Sequence, residues 1–161
     1  MQNTINTELK NSIASIPLSE LLPHSEPMIL ITRIVDFSQQ TLRAEVDISP
    51  DSHFYEDHHQ GVQSFFTIEY MAQSIAALAG VRSHLNQEAV KLGFLLGTRK
   101  MQLHKSLLET GQTYQVEVEE LFMDDSGLGA FQCSVTCKDD VIAEAKLSVF
   151  ETNDENQLLT N

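Results

Sequence analysis

The alternation of apolar and polar positions divides the chain into strands arranged around one helix. Residues 28–37 (MILITRIVDF) are rich in β-branched side chains and predict a strand. After a turn at Gln39-Gln40, residues 42–48 set Leu42, Ala44, Val46 and Ile48 against Arg43, Glu45 and Asp47. That period of two predicts a half-buried strand pairing back on the first. Further strands are expected near 92–97, 113–123, 129–138 and 141–150, separated by Gly111, the 124–127 stretch and Asp139-Asp140. Between the two groups, residues 64–85 (SFFTIEYMAQSIAALAGVRSHL) are apolar almost all round. A helix of that kind has to be covered on nearly every side. Gly80 and the neighbouring alanines imply close approach to other backbone. A short helix at 18–23 (LSELLP), capped by Ser19 and ended by Pro23, is expected ahead of the first strand. The pattern gives an α+β class, an antiparallel sheet on one long helix.

A chain of 161 residues fits one domain and needs no metal or disulfide to hold it together. We place that domain at 18–150, with an N-terminal extension at 1–17 and a polar, frayed tail at 151–161. A hydrophobic share of 42% excludes wholesale disorder. Acids outnumber bases 23 to 10, a net charge of −13, which argues against nucleic acid and against a polybasic membrane anchor. The first 17 residues lack the charged and apolar regions of a secretory signal, so a cytoplasmic protein is expected. The most apolar stretch, 62–81, contains Gln63, Glu69 and Gln73 and reads as a buried helix, not a membrane span. Cys133 and Cys137 lie about 13 Å apart on one face of a strand, too far for a bond between them. Two reduced thiols are expected.

Glu69 is the single acidic or basic side chain between residues 62 and 81. A carboxyl group in an apolar helix needs a reason, either a structural partner or a raised pKa that lets it act as a general acid. Gln73 stands one turn further on the same face, placed to orient Glu69 or to fill a polar pocket. Residues 49–61 (SPDSHFYEDHHQG) have no periodicity and hold His53, His58 and His59 just ahead of the helix. Histidine is the commonest general base, and one of the three is a candidate for that role. Glu56 or Asp57 with these histidines has no metal-binding spacing signature, so no metal is expected. Gly61 and Val62 are expected at the helix N-terminus, where backbone N–H groups can hold a developing oxyanion.

These segments together resemble the β-hydroxyacyl-acyl carrier protein dehydratases. Residues 21–37 (LLPHSEPMILITRIVDF) are similar to that family's Leu-Pro-His opening and its first strand. Residues 53–80 resemble its His-Phe segment and Glu-containing helix, and residues 94–119 its next strands. The wording around Ile68–Gln73 and Gly93–Arg99 is similar to a dehydratase-like branch associated with aryl polyene clusters. The resemblance implies a hot-dog fold, with the sheet wrapped around the central helix, and a dimer with its active site at the subunit interface. It implies that His53 takes the α-proton of a 3-hydroxyacyl thioester. Glu69 then protonates the departing hydroxyl, and a backbone N–H at the helix start holds the thioester oxygen. The interval from His53 to Glu69 is longer than the family's, and its Pro-rich turn is replaced by residues 55–60. His58 or His59 is therefore an alternative base.

The resemblance implies a substrate carried on the phosphopantetheine of acyl carrier protein, with no cofactor of the enzyme's own. It also implies pairing as a homodimer or with a second hot-dog subunit. Residues 91–105 hold Lys91, Arg99, Lys100 and Lys105 and no acid, so the rest of the chain carries −17. This basic island is a candidate docking patch for the acidic carrier protein. Two other functions compete: a hot-dog acyl thioesterase, and a non-catalytic subunit that binds carrier protein and supports a catalytic partner.

Overall fold

The computed structural model describes residues 2–152, with side chains from residue 6 onward. Helix α1 (Gln2–Ala14) is followed by the single turn α2 (Leu18–Leu21). Strands β1 (Arg33–Phe37) and β2 (Thr41–Asp47) form a hairpin. Two short strands, β3 (Tyr55–Glu56) and β4 (Gly61–Gln63), lead to a 3-10 turn (Ser64–Phe66) and the long helix α3 (Thr67–Leu85). The remaining strands are β5 (Leu92–Leu103), β6 (Leu107–Glu109), β7 (Thr113–Met123), β8 (Leu128–Cys137) and β9 (Asp140–Thr152). Six strands form one antiparallel sheet in the order β1-β2-β7-β8-β9-β5, and β3-β4-β6 form a second, small one. Helix α3 packs on β2, β7, β8, β5 and β9. This is the hot-dog fold.

The alternation read in the sequence is the burial pattern of the sheet. In β2, Leu42, Ala44 and Val46 are buried, and in β7 the same holds for Tyr114, Val116 and Val118. Against them α3 buries Tyr70, Met71, Ile75, Leu78 and Val81, so one core joins sheet and helix. Removing a side chain such as Leu78 from a core like this costs about 2–5 kcal/mol. The outer face of the hairpin is held by charge. Arg33 bonds Glu45 at 2.8 Å and also Asp47, and Arg43 faces Glu117.

Glycine 80 meets α2 edge-on. A Cβ there would lie 1.7 Å from the Leu21 carbonyl oxygen, so no other residue lets α2 sit against α3.

Several local expectations are corrected. Strand β1 begins only at Arg33, because residues 28–31 are held by a side chain and not by a neighbouring strand. The Ser19 hydroxyl caps nothing; Pro17 occupies the cap position of α2 with no side-chain bond. The extension at 1–17 contains a helix whose Ile13 is buried in the core. The 49–61 segment is not all loop, since β3 and β4 fall within it. Of the tail, Glu151 and Thr152 continue β9, and residues 153–161 lie outside the described residues. Cys133 is buried and Cys137 half-buried, and both are free. Burial pushes the Cys133 thiol up to about 12, which leaves it unreactive.

Candidate active site

Glu69 stands in the first turn of α3, exposed, on the wall of a cavity of about 220 Å³ between α3 and the start of β5. Small side chains, Ala72, Ala76 and Ala79, line the helix side. From Glu69 to Ala79 the helix runs about 15 Å. The far end of the cavity holds Lys91 and Glu151. Burial lifts the Glu151 carboxyl above its ordinary range, against the pull of Lys91 and Arg82.

The histidine in this cavity is His24. It follows Pro23 in the segment between α2 and β1. Its Nδ1 is buried with no hydrogen-bond partner. Burial lowers its pKa below the ordinary 6.5, and the nearby Glu69 carboxylate partly offsets this. A neutral imidazole near neutral pH is the form a general base requires.

Gln73 does not orient Glu69. Its Oε1 accepts from the Leu30 N–H at 2.6 Å and the Ile31 N–H at 3.0 Å, and its Nε2 donates to the Met28 carbonyl at 2.9 Å. The amide stands in for a missing strand neighbour and fixes residues 28–31 as a cavity wall. Met28 and Leu30 line the cavity from that wall.

The three histidines singled out by sequence lie elsewhere in the same chain. His53 is exposed and lines a separate depression with Tyr70 and Asp51, sharing only Leu30 with the Glu69 cavity. Phe54, at φ 68°, stacks flat on Phe66 at 4.1 Å and fastens this loop to the helix start. His58 and His59 sit on the β3–β4 turn beside Glu56.

Gly61 and Val62 are also displaced from the expected place. They are strand residues of β4, paired with Glu109 and Leu108 of β6, and α3 begins only at Thr67. Gly61 is required because a Cβ would lie 2.2 Å from the Leu108 carbonyl oxygen. Its role is packing between strands, not a helix terminus.

Arg99 and Lys100 lie on β5, an edge strand, and Lys105 follows it. All three are exposed, and Lys91 is half-buried. Arg99 faces Lys146 across the β5–β9 ladder, so the island extends onto β9. Among the described residues none of the four island cations lies within 4.0 Å of an acid, whereas Lys10, Arg33, Arg43 and Arg82 are each paired.

Comparison with known proteins bears on this site. A family model described as ApeP-like, ApeP dehydratase, matches residues 16–160. The chain belongs to the ApeP-like dehydratase family. This ApeP-like chain is similar to 3-hydroxyacyl-[acyl-carrier-protein] dehydratases FabZ. It is 22% identical to that of Acinetobacter baylyi over 82% of this chain and 90% of the relative. For Ralstonia nicotianae the identity is 24%, over 86% and 85%. Among solved structures it is similar to the dehydratase heterocomplex ApeI:P from Xenorhabdus doucetiae. The TM-score is 0.82 at 25% identity, covering 91% of this chain and 99% of that one. A Streptococcus pneumoniae hypothetical thioesterase with coenzyme A shares the fold alone, with TM-score 0.58 and 8% identity over 74% and 84% of the two chains. Among the described residues no helix is long and apolar enough to cross a membrane.

Sequence reasoning missed His24 as a chemical group. The signal was present in the Leu-Pro-His stretch, but nothing in its spacing tied residue 24 to residue 69. The link is made by α2 docking on α3.

Proposed function

We propose that this ApeP-like chain eliminates water from a 3-hydroxyacyl thioester carried on acyl carrier protein, giving the trans-2-enoyl thioester. A base removes the α-proton, the C–O bond at C3 breaks, and Glu69, reacting in its protonated form, gives its proton to the leaving hydroxyl, which departs as water and leaves Glu69 as the carboxylate. The observation that carries this reading is a carboxyl and a neutral histidine in one cavity with small apolar walls. His24 is the base within the chain. The acyl chain lies along Ala72, Ala76 and Ala79. No cofactor is required, because the α-proton is already acidified by the thioester. The reaction takes place in the cytoplasm.

His53 has a second reading. It is exposed and points outside its own chain's cavity, as a residue serving a partner's site across an interface would. The β5 edge, with Leu95 and Leu96 exposed beside the cavity, is the seam where a second hot-dog subunit, identical or not, would pair. The similarity to a chain of the ApeI:P heterocomplex supports such a partner.

The test is the conversion of a 3-hydroxyacyl carrier substrate by the chain alone and with its partner subunit. Glu69→Gln is expected to lose at least about 100-fold in kcat/KM. His24→Gln is expected to do the same, and His53→Gln to leave the rate within a few-fold. Loss in His53→Gln with full activity in His24→Gln would move the base to His53. Full activity in Glu69→Gln would remove the assignment of Glu69. Release of free thiol without enoyl product would make the chain a thioesterase, and full activity of the assembly with both residues replaced would make it a supporting subunit.

A further inference from the structure

The β3–β4 hairpin collects three metal-ligating side chains away from the Glu69 cavity. Glu56 comes from β3, and His58 and His59 from the turn. The turn is fastened back on Glu56: the N–H groups of His59 and Gln60 both donate to its carbonyl, at 3.2 and 2.9 Å. Gln60 takes the left-handed conformation that closes the turn, at φ 54°. Both imidazoles are thereby raised over the Glu56 carboxylate, with ring centroids 4.0 Å apart.

The spacing separates an ion site from a set of hydrogen bonds. Glu56 Oε2 lies 3.6 Å from His58 Nε2 and 3.4 Å from His59 Nε2, and the three ligand atoms lie within 4.8 Å of one another. Direct hydrogen bonds at these atoms would be about 2.7–3.2 Å. The edge of a tetrahedron around an ion with N and O ligands at about 2.0–2.1 Å is about 3.4 Å. Two edges already have roughly that length. The other carboxylate oxygen, Oε1, accepts from Gln63 Nε2 at 2.9 Å, which holds Oε2 toward the histidines. That is the outer-shell support that bound carboxylates carry.

We propose that Glu56, His58 and His59 bind one divalent transition-metal ion of the zinc class, with water in the fourth position. Two imidazoles and one carboxylate suit zinc or cobalt better than calcium or magnesium, which take all-oxygen shells. The site lies on the hairpin that runs through β4 and the 3-10 turn into α3. The ion would clip that hairpin shut and take no part in the elimination.

The experiment uses the full chain without an affinity tag, stripped of metal and titrated with Co²⁺, then with Zn²⁺. One equivalent of Co²⁺ is expected to bind with the intense visible absorption of a tetrahedral site, and Zn²⁺ to displace it. His58→Ala with His59→Ala should abolish the band while leaving the apo melting temperature unchanged, since both side chains are exposed. Gln63→Leu should weaken binding by about 10–100-fold. His104→Ala, which breaks the other exposed His–Glu pair, should bind as the parent does. A band that survives in the double variant, or no saturation at one equivalent, would overturn the proposal. Glu56→Gln supplies a second check if the double variant melts early: unchanged Co²⁺ affinity there would also overturn it.

Discussion

At His24 two effects oppose each other. Burial disfavours the charged imidazole, and the Glu69 carboxylate favours it, with burial the larger. The result is a group that binds its proton more weakly in the folded chain than in the unfolded one. Its contribution to stability is therefore complete above the ordinary 6.5 and is lost as pH falls through the lower folded value. Melting temperatures of parent and His24→Gln between about pH 7.5 and about pH 5 check this, with the parent falling more steeply toward acid. The same depression places the acid limb of kcat/KM for the parent below 6.5. Glu69→Gln removes the favourable charge, so the His24 pKa, followed by NMR, should move further down. An unchanged value would mean that the two groups do not sense each other.

At the scale of elements, the site depends on how α2 and the 28–31 segment dock on α3. The Leu21 carbonyl occupies the space a side chain at position 80 would need. Gly80→Ala is expected to push α2 off the helix and to lower stability by at least about 2 kcal/mol, despite the better helix propensity of alanine. Because His24 follows α2, activity should fall with it, and calorimetry beside kinetics reads both. The elements that sequence pattern captured are those with strong periodicity. Strand β7 falls on the residues expected, β8 and β9 within one or two of them, and α3 follows the expected 64–85 once its first turn is counted as 3-10. What pattern could not show are contacts between segments far apart. Residues 28–31 look like a strand by composition, yet their partner is the Gln73 amide. Gly61 looks like a helix-start glycine, yet it answers to Leu108 across a small sheet. Strand β5 runs on to Leu103 because two irregularities in its pairing with β9 absorb the break in its alternation.

Across the whole molecule, charge is divided by surface. Among the described residues the cations outside 91–105 are mostly spent in ion pairs with acids of the sheet, and those inside it are not. An acidic carrier protein would be repelled by the general surface and accepted at the Arg99–Lys105 end of β5, beyond the Leu95–Leu96 seam. Arg99→Glu with Lys100→Glu should weaken carrier binding by about tenfold or more, mostly through the association rate. The parent's affinity should fall as salt is raised, and the variant's should fall less. Binding that is the same in both, measured by surface plasmon resonance or calorimetry, would leave the patch without a role in docking. Only half of this division can be read along the chain: the excess of lysine and arginine at 91–105 is visible in sequence, but that none of them lies within ion-pair distance of an acid is a property of the fold.

The Gln73 amide gives the cavity a clock. One side-chain oxygen protects two consecutive main-chain N–H groups, those of Leu30 and Ile31. Their exchange with deuterium cannot proceed independently, because any fluctuation that frees one withdraws the acceptor from the other. These two amides should exchange at a common rate, set by how often the 28–31 wall swings away from α3. A substrate lying against that wall would slow both together.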